Sequence, residues 1–417
     1  MNDKALYCVI DLKSFYASCE CATRHLDIFT TPLVVCDPTR GPSTIVMSAT
    51  PYLKKTYGVP NVCRRRDLPQ VSNMILAQPR MAYYVEMSSK VVSIFLDFVD
   101  EADLHVYSID ESFLNIGPYL QIAHCTAEQY VAKIQKRIKD ELGLVATAGI
   151  GPNMFLAKIC LDNEGKKRPP YCAHWTMDDV PTKLWSISPI TEIWGISDGI
   201  ERRLRLMGIR SLEALAHAKK EDLEKEFGIL GNQLQDLANG IDRTDIRKKY
   251  VPKETHLSIG QELCRDYTLS EAKLILREMS DDLCLRLRLL GQKTGEVSLF
   301  IAYSAQAGGG FAHQMSLTKP TDDNDTIYQA ILEIFDRYSE PKPVRSLGIG
   351  FGKLGSYDYE QLDVFESSEL LSEKKSLHKA IDKIQLAYGR NACLRLSSLT
   401  KASTIHERHQ QIGGHKA

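Results

Sequence analysis

An apolar run that stops at a carboxylate, met twice in one chain, constrains this sequence more than any other feature. Ala5-Leu6-Tyr7-Cys8-Val9-Ile10 has the length and composition of a buried strand, and Asp11 follows it directly. Far along the chain, Leu104-His105-Val106-Tyr107-Ser108-Ile109-Asp110-Glu111-Ser112-Phe113-Leu114-Asn115-Ile116 reads as two strands hinged at an acidic pair. Neighbouring side chains on a straight strand point to opposite faces, so Asp110 and Glu111 could share a ligand only at a hairpin bend. Three carboxylates delivered to one point would form an oxygen-rich cage suited to hard cations such as Mg²⁺. Paired metals held that way serve in-line displacement at phosphorus. The plainer reading of any one of these acids is a strand cap or a solvated turn.

Size and composition set the frame. A chain of 417 residues should hold about two to four domains. No apolar run approaches a membrane span, and the N-terminus lacks a basic region followed by an apolar stretch, so a cytoplasmic protein without a secretory signal is expected. Eleven cysteines without Cys-x-x-Cys spacing argue for reduced thiols. Basic and acidic residues nearly cancel, 52 against 53, which fits a nucleic-acid binder only if the positive charge is local. It is clumped, at Arg64-Arg65-Arg66, Arg202 to Arg210, Arg247-Lys248-Lys249 with Lys253, and Arg286-Leu287-Arg288 with Lys293. Solvated faces are the ordinary meaning of such clumps, but four of them suit a groove that tracks a phosphate backbone.

Along the chain, residues 1–15 and 80–172 alternate strand and helix patterns, including the helical stretch Met87 to Phe98, the helix Ala127 to Leu142 and the strand Val145-Ala146-Thr147-Ala148-Gly149-Ile150. Residues 16–79 intervene with a strand, Pro32-Leu33-Val34-Val35-Cys36, and a helix near Pro51 to Tyr57. Residues 173–242 are helical and punctuated by glycine. The polar, basic stretch Asp242 to Lys253 reads as a linker. Beyond it, residues 254–355 follow a strand-helix-strand-strand-helix-strand order, a two-fold repeat of a split unit. After residue 366 come a helix to about Leu386 and a polar tail whose end, Gln410 to Ala417, reads as disordered. The class is α+β with several domains.

The wording around the acids carries a resemblance. Asp11-Leu12-Lys13-Ser14-Phe15-Tyr16-Ala17-Ser18-Cys19-Glu20 and Tyr107-Ser108-Ile109-Asp110-Glu111-Ser112-Phe113 resemble the two catalytic motifs of the Y-family translesion DNA polymerases, in the UmuC-type (ImpB/MucB/SamB) branch. The resemblance implies a right-hand architecture. Residues 1–15 and 80–172 would be the palm, 16–79 the small fingers, 173–242 the thumb, 243–253 the linker and 254–355 the little finger.

It also implies roles. Asp11, Asp110 and Glu111, with the carbonyl of Leu12, would bind two Mg²⁺ ions for attack of a primer 3′-hydroxyl on a deoxynucleoside triphosphate. Tyr16 stands at the steric gate that excludes a ribose 2′-hydroxyl. Phe15, Tyr16, Tyr52 and Lys55 would bind the nucleotide, Lys55 standing where the family's Tyr-x-x-Arg pattern has arginine. A palm lysine that touches the phosphates falls at Gly165 in strict register, leaving Lys166 or Lys167, with Lys166 favoured. Lys158, earlier on that helix, reads as structural. Ser48 and Ala49 are small enough to agree with an open, low-fidelity site.

Ile193-Trp194-Gly195-Ile196-Ser197-Asp198-Gly199-Ile200, followed by Leu206-Met207-Gly208-Ile209, looks like a helix-hairpin-helix. Its turn would hold a DNA phosphate through Gly195, Ile196, Ser197 and Gly199, Ser197 standing where the family more often has glycine. Gln361-Leu362-Asp363-Val364-Phe365 matches the pentapeptide that docks on the bacterial sliding clamp. Expected partners are therefore primer–template DNA, deoxynucleoside triphosphates, the clamp and, as the polymerase-V branch implies, an accessory protein of UmuD or RecA type. Two readings compete: a catalytically silent relative acting as a DNA- and clamp-binding regulator, and a nucleotide cyclase. All three acids are present, against the first. A cyclase leaves the hairpin, the second split-unit domain and the clamp peptide without purpose.

Overall fold

A computed structural model describes residues 5–249, 256–356 and 368–417. The chain divides into two compact units, Met1–Lys249 and Tyr250–Ala417.

The first unit opens with strand β1 (Tyr7–Leu12) and helix α1 (Phe15–Thr23). Strands β2 (Leu33–Cys36), β3 (Ile45–Ala49), β4 (Cys63–Arg64) and β5 (Ile75–Ala77) form a small sheet in the order β4-β3-β2-β5, with helix α2 (Pro51–Tyr57) packed on it through Leu53. Helix α3 (Met81–Leu96) starts a full turn before the position expected from the sequence. Then come β6 (Leu104–Val106), β7 (Glu111–Asn115), the short helix α4 (Gly117–Leu120), α5 (Ala127–Leu142), β8 (Ala146–Gly151), α6 (Met154–Cys160) and β9 (Cys172–His174). Their strands join β1 in a sheet of order β6-β7-β1-β8-β9, with β1 antiparallel to both neighbours.

Period-two alternation sorts β1 between two layers. Cys8, Ile10 and Leu12 enter the core shared with α3 and α5, while Tyr7 and Val9 enter a second cluster with Met154, Ala157 and Leu161. Asp11 continues the Tyr7–Val9 face, and its partners across the sheet are Glu111 on β7 and Thr147 on β8. Next to Thr147 on that face of β8 come Gly149 and Gly151. A methyl group on Gly149 would lie 2.3 Å from the Ala157 carbonyl oxygen, so the glycine is what lets the α6 backbone close onto the sheet.

Helices α7 (Asp198–Leu206), α8 (Leu212–Ala216), α9 (Lys220–Phe227) and α10 (Ile229–Ala238) complete this unit around Leu204, Leu215, Leu223 and Leu234. The stretch expected as a linker begins later than its composition indicates. Asp242 accepts from the Phe155 amide, Ile246 is buried beside Tyr7, and Arg247 grips the buried Asp103 with two bonds of 2.8 and 2.9 Å. Residues 250–253 lie outside the described residues.

In the second unit β10 (Leu257–Tyr267), α11 (Leu269–Leu289), β11 (Lys293–Tyr303), β12 (Gly310–Thr321), α12 (Asn324–Tyr338) and β13 (Val344–Gly355) form an antiparallel sheet of order β10-β13-β11-β12. Val297, Leu299 and Ile301 point into the core with α11 and α12. The opposite face carries Ser258, Gly260, Ser298, Phe300, Gly348 and Gly350.

A C-terminal segment comes next, with helices α13 (Ser368–Tyr388) and α14 (Ile405–Arg408). The expected disorder of Gln410–Ala417 is a correction: Gln411-Ile412 and His415-Lys416 pair as strands β14 and β15 across Gly413-Gly414, both at positive φ. Two glycines suit the turn such a hairpin needs. Among the described residues no helix is long and apolar enough to cross a membrane, and all eleven cysteines are free thiols.

Candidate active site

The acidic hairpin bends over residues 107–110, with Asp110 in the bend and Glu111 directly after it. The Tyr107 and Ser108 amides both donate to the Glu111 carbonyl, which leaves Glu111 as the first residue of β7 and Asp110 in the bend. The Asp110 carbonyl accepts from the Leu12 amide at 2.9 Å, tying the bend to the end of β1. Its carboxylate accepts from the Ser108 hydroxyl at 2.7 Å. Asp11 and Glu111 face each other in register, where side chains of an antiparallel pair share one face.

The three acids are not gathered as a ready ligand set. Among the described residues no three Asp, Glu, His or Cys side chains group as a metal's ligands, and ammonium groups hold Asp11 and Glu111 instead. Lys158 on α6 donates to Glu111 Oε2 at 2.9 Å; Glu111 Oε1 is 2.8 Å from the same nitrogen but is buried without a hydrogen bond. Lys166 lies 3.0 Å from Asp11 and 2.9 Å from Asp162. Burial pushes the Asp11 and Glu111 carboxyls up, with the neighbouring lysines opposing it. Burial works to lower Lys166, but the charges of Asp11 and Asp162 outweigh it and its pKa rises.

A π-helical turn brings the second of these lysines to the acids. Leu161–Gly165 continues α6 in that form, and a methyl group on Gly165 would meet the Ala148 carbonyl oxygen at 2.2 Å. No lysine fits at Gly165, so Lys166 takes the place beside the acid. Lys158, read from sequence as structural, sits on a carboxylate of the site. Sequence gives no sign of this, because only the glycines of β8 decide which face of α6 meets Glu111.

In the first turn of α1, Phe15 is core at 3% exposed, which leaves its main chain rather than its ring for a ligand. Tyr16 is half-buried and stacks on Tyr84. Ser48 donates to the Ser14 carbonyl, and Ala49 is buried against Val34 and Leu53. On α2, Tyr52 is half-buried and Lys55 is exposed. The adjacent Lys54 is the one in the field of the site: burial lowers its pKa, Asp11 opposes that and Lys166 adds to it.

Gly195 takes a positive φ of 95° in the turn before α7, Ser197 caps that helix by accepting from the Ile200 amide, and Gly199 lies in its first turn. Trp194, just before Gly195 and Ile196, packs edge-on against Tyr107 and donates to its hydroxyl at 3.2 Å, so this turn is fastened to the acidic hairpin. Several of the clumped basic residues hold acceptors within the fold. Arg247 is bound to Asp103, Arg203 to Glu226, and Arg288 to Asp382 and Asn324. The peptide Gln361-Leu362-Asp363-Val364-Phe365 and Lys253 lie outside the described residues.

An acid-edged sheet with helices on both faces, followed by a helical bundle and a separate split-unit sheet, defines the fold class of the Y-family polymerases. A solved structure, the Y-family DNA polymerase chimera Dbh-Dpo4(243-245)-Dbh, superposes with a TM-score of 0.66 over 84% of this chain and 98% of its own, at 20% identity. The impB/mucB/samB family profile matches residues 10–162, and the profile of that family's C-terminal domain matches residues 256–364. The chain belongs to the impB/mucB/samB family. It is similar to the putative UV-damage repair protein UvrX of Bacillus subtilis (strain 168), 36% identical over 99% of this chain and 98% of that protein. It is also similar to DNA polymerase IV 2 of the same organism, 32% identical over 100% of this chain and 99% of that protein.

Proposed function

We propose that the chain is a DNA-directed DNA polymerase that extends a primer past damaged template with low fidelity, as part of a DNA-damage (SOS) response. The observation that carries this reading is the register of Asp11 opposite Glu111 with Asp110 bonded to the end of β1, in a chain of this family. The donor set fits a hard divalent cation. It is all oxygen: the Asp11, Asp110 and Glu111 carboxylates lie around the Leu12 main chain at the end of β1. Asp11, Asp110, Glu111 and the Leu12 carbonyl would hold two Mg²⁺ ions. Bound there, Mg²⁺ supplies a lowered pKa for the attacking 3′-hydroxyl and neutralisation of the leaving pyrophosphate.

The chain's own residues do the rest. The first amides of α1, Phe15 and Tyr16 among them, lack intrahelical acceptors and face developing negative charge at a helix start. Lys166, with Tyr52, Lys54 and Lys55 from α2, would grip the triphosphate. Tyr16 would close off the space beneath the sugar. Gly195, Ile196, Ser197 and Gly199 would hold a DNA phosphate, and Gln361-Leu362-Asp363-Val364-Phe365 would dock on a sliding clamp, with an accessory protein of UmuD or RecA type as a further partner. The cytoplasm is the compartment where these partners meet.

Primer extension with Mg²⁺ tests the reading. Asp110→Ala should abolish extension while primer–template binding is retained, and surviving extension would overturn the assignment.

A further inference from the structure

Behind the site runs a chain of alternating charges whose middle members, Lys158 and Asp162, the proposed reaction does not by itself require. Glu111 is bonded to Lys158, Lys158 lies 3.2 Å from Asp162, Asp162 accepts from Lys166 at 2.9 Å, and Lys166 reaches Asp11. Asp162 touches neither Asp11 nor Glu111 directly; it is the shared acceptor of the two lysines. Residues 158, 162 and 166 step along one face of α6 and its π-helical continuation, where a spacing of four brings side chains together. The residue after that turn is tied to the one after β1, because the Lys13 side chain donates to the Lys166 carbonyl at 2.9 Å.

We infer that Asp162 is a positioning residue that offers Lys166 a second partner, so that a divalent cation can take Asp11 without leaving a half-buried ammonium unpaired. This rests on the metal-binding reading proposed above. With Asp162 present, Lys166 gives up Asp11 and keeps an acceptor on its own helical face. With Asp162 neutralised, Asp11 is the remaining charge within reach of Lys166, and the ammonium competes with the cation for it.

The test is Mn²⁺ binding to the full-length protein without nucleotide, monitored by electron paramagnetic resonance. Asp162→Asn should weaken Mn²⁺ binding about tenfold, and Asp162→Glu should restore most of it. In a Lys166→Met background, which lacks the competitor, Asp162→Asn should change Mn²⁺ affinity little, since the effect runs through Lys166. Unchanged affinity in Asp162→Asn, or an equal loss in the Lys166→Met background, overturns the inference. Melting curves of each variant identify loss of fold, and the Lys166→Met comparison decides the matter if Asp162→Asn alone is unstable. Primer extension by the unmodified protein and by Asp110→Ala reports separately on the underlying reading. If only the unmodified protein extends, yet Asp162→Asn binds Mn²⁺ normally, the polymerase reading stands and this inference falls.

Discussion

Tyr16 is stacked on Tyr84, with ring centroids 4.7 Å apart and planes 27° from parallel. Tyr84 is itself fixed: its hydroxyl donates to Glu20 at 2.8 Å, and Glu20, buried, also takes two bonds from Arg80 and one from Arg24. The ring proposed to bar a 2′-hydroxyl is therefore backed by a rigid neighbour rather than by solvent. Tyr16→Ala should raise ribonucleotide incorporation in a primer-extension assay. Glu20→Ala leaves the Tyr84 hydroxyl without its partner, costs about 1–3 kcal/mol and should shift sugar selectivity the same way by less. Unchanged selectivity in Tyr16→Ala would remove the gate assignment.

Lys158 and Glu111 are about one-tenth exposed, so Glu111 depends on Lys158 for its charge, while Lys158 also has Asp162 at 3.2 Å. Removing one member of a buried pair costs about 3–5 kcal/mol, because the survivor is left uncompensated. Lys158→Met should therefore lower the melting temperature, and adding Glu111→Gln should recover part of the loss. If the double variant melts no higher than Lys158→Met alone, the pair does not carry the stability assigned to it.

Sequence makes visible the features that are local. Asp11 after its apolar run and the acids of the hairpin can be read because strand length and alternation are written in adjacent residues. The split-unit order of the second unit is legible for the same reason, its strands and helices differing in period. The role of Lys158 is not, since it depends on Gly149 bringing α6 against β8. Ile246 and Arg247 resemble linker because their partners, Tyr7 and Asp103, are remote in the chain. Arg288 resembles a phosphate contact for the same reason, its acceptor Asp382 lying in the C-terminal segment.

Gly165 sits where strict register with the family would place a lysine, and the close Ala148 carbonyl explains why it cannot. Gly165→Ala forces the π-helical turn away from β8, at a cost of about 1–3 kcal/mol for overpacking. Because Lys166 is the next residue, the displacement should also raise the KM for deoxynucleotide more than it lowers kcat. A thermal melt and a nucleotide titration check both effects; a variant with unchanged KM would show that the turn does not set the position of Lys166.

Asp282 on α11 anchors the C-terminal segment. Arg390, Arg408 and His409 all bond to it, while neighbouring Glu278 holds Ser403 and Asp281 holds Arg395. Burial alone would raise the Asp282 carboxyl, but the His409 bond and the two guanidinium charges outweigh it and hold its pKa below the usual range. A carboxyl depressed in the folded state contributes stability that is present above its unfolded pKa, near 4, and lost as pH falls through the folded value. Docking of residues 372–417 should therefore weaken below about pH 4, by at most about 1.4 kcal/mol per pH unit for this group. Hydrogen exchange of the full chain between neutral pH and about pH 3 reads it directly. The C-terminal amides should lose protection on acidification, whereas in Asp282→Asn protection should already be low at neutral pH and vary less with acid. Protection in Asp282→Asn equal to that of the unmodified chain across the range would show that this carboxylate does not hold the segment.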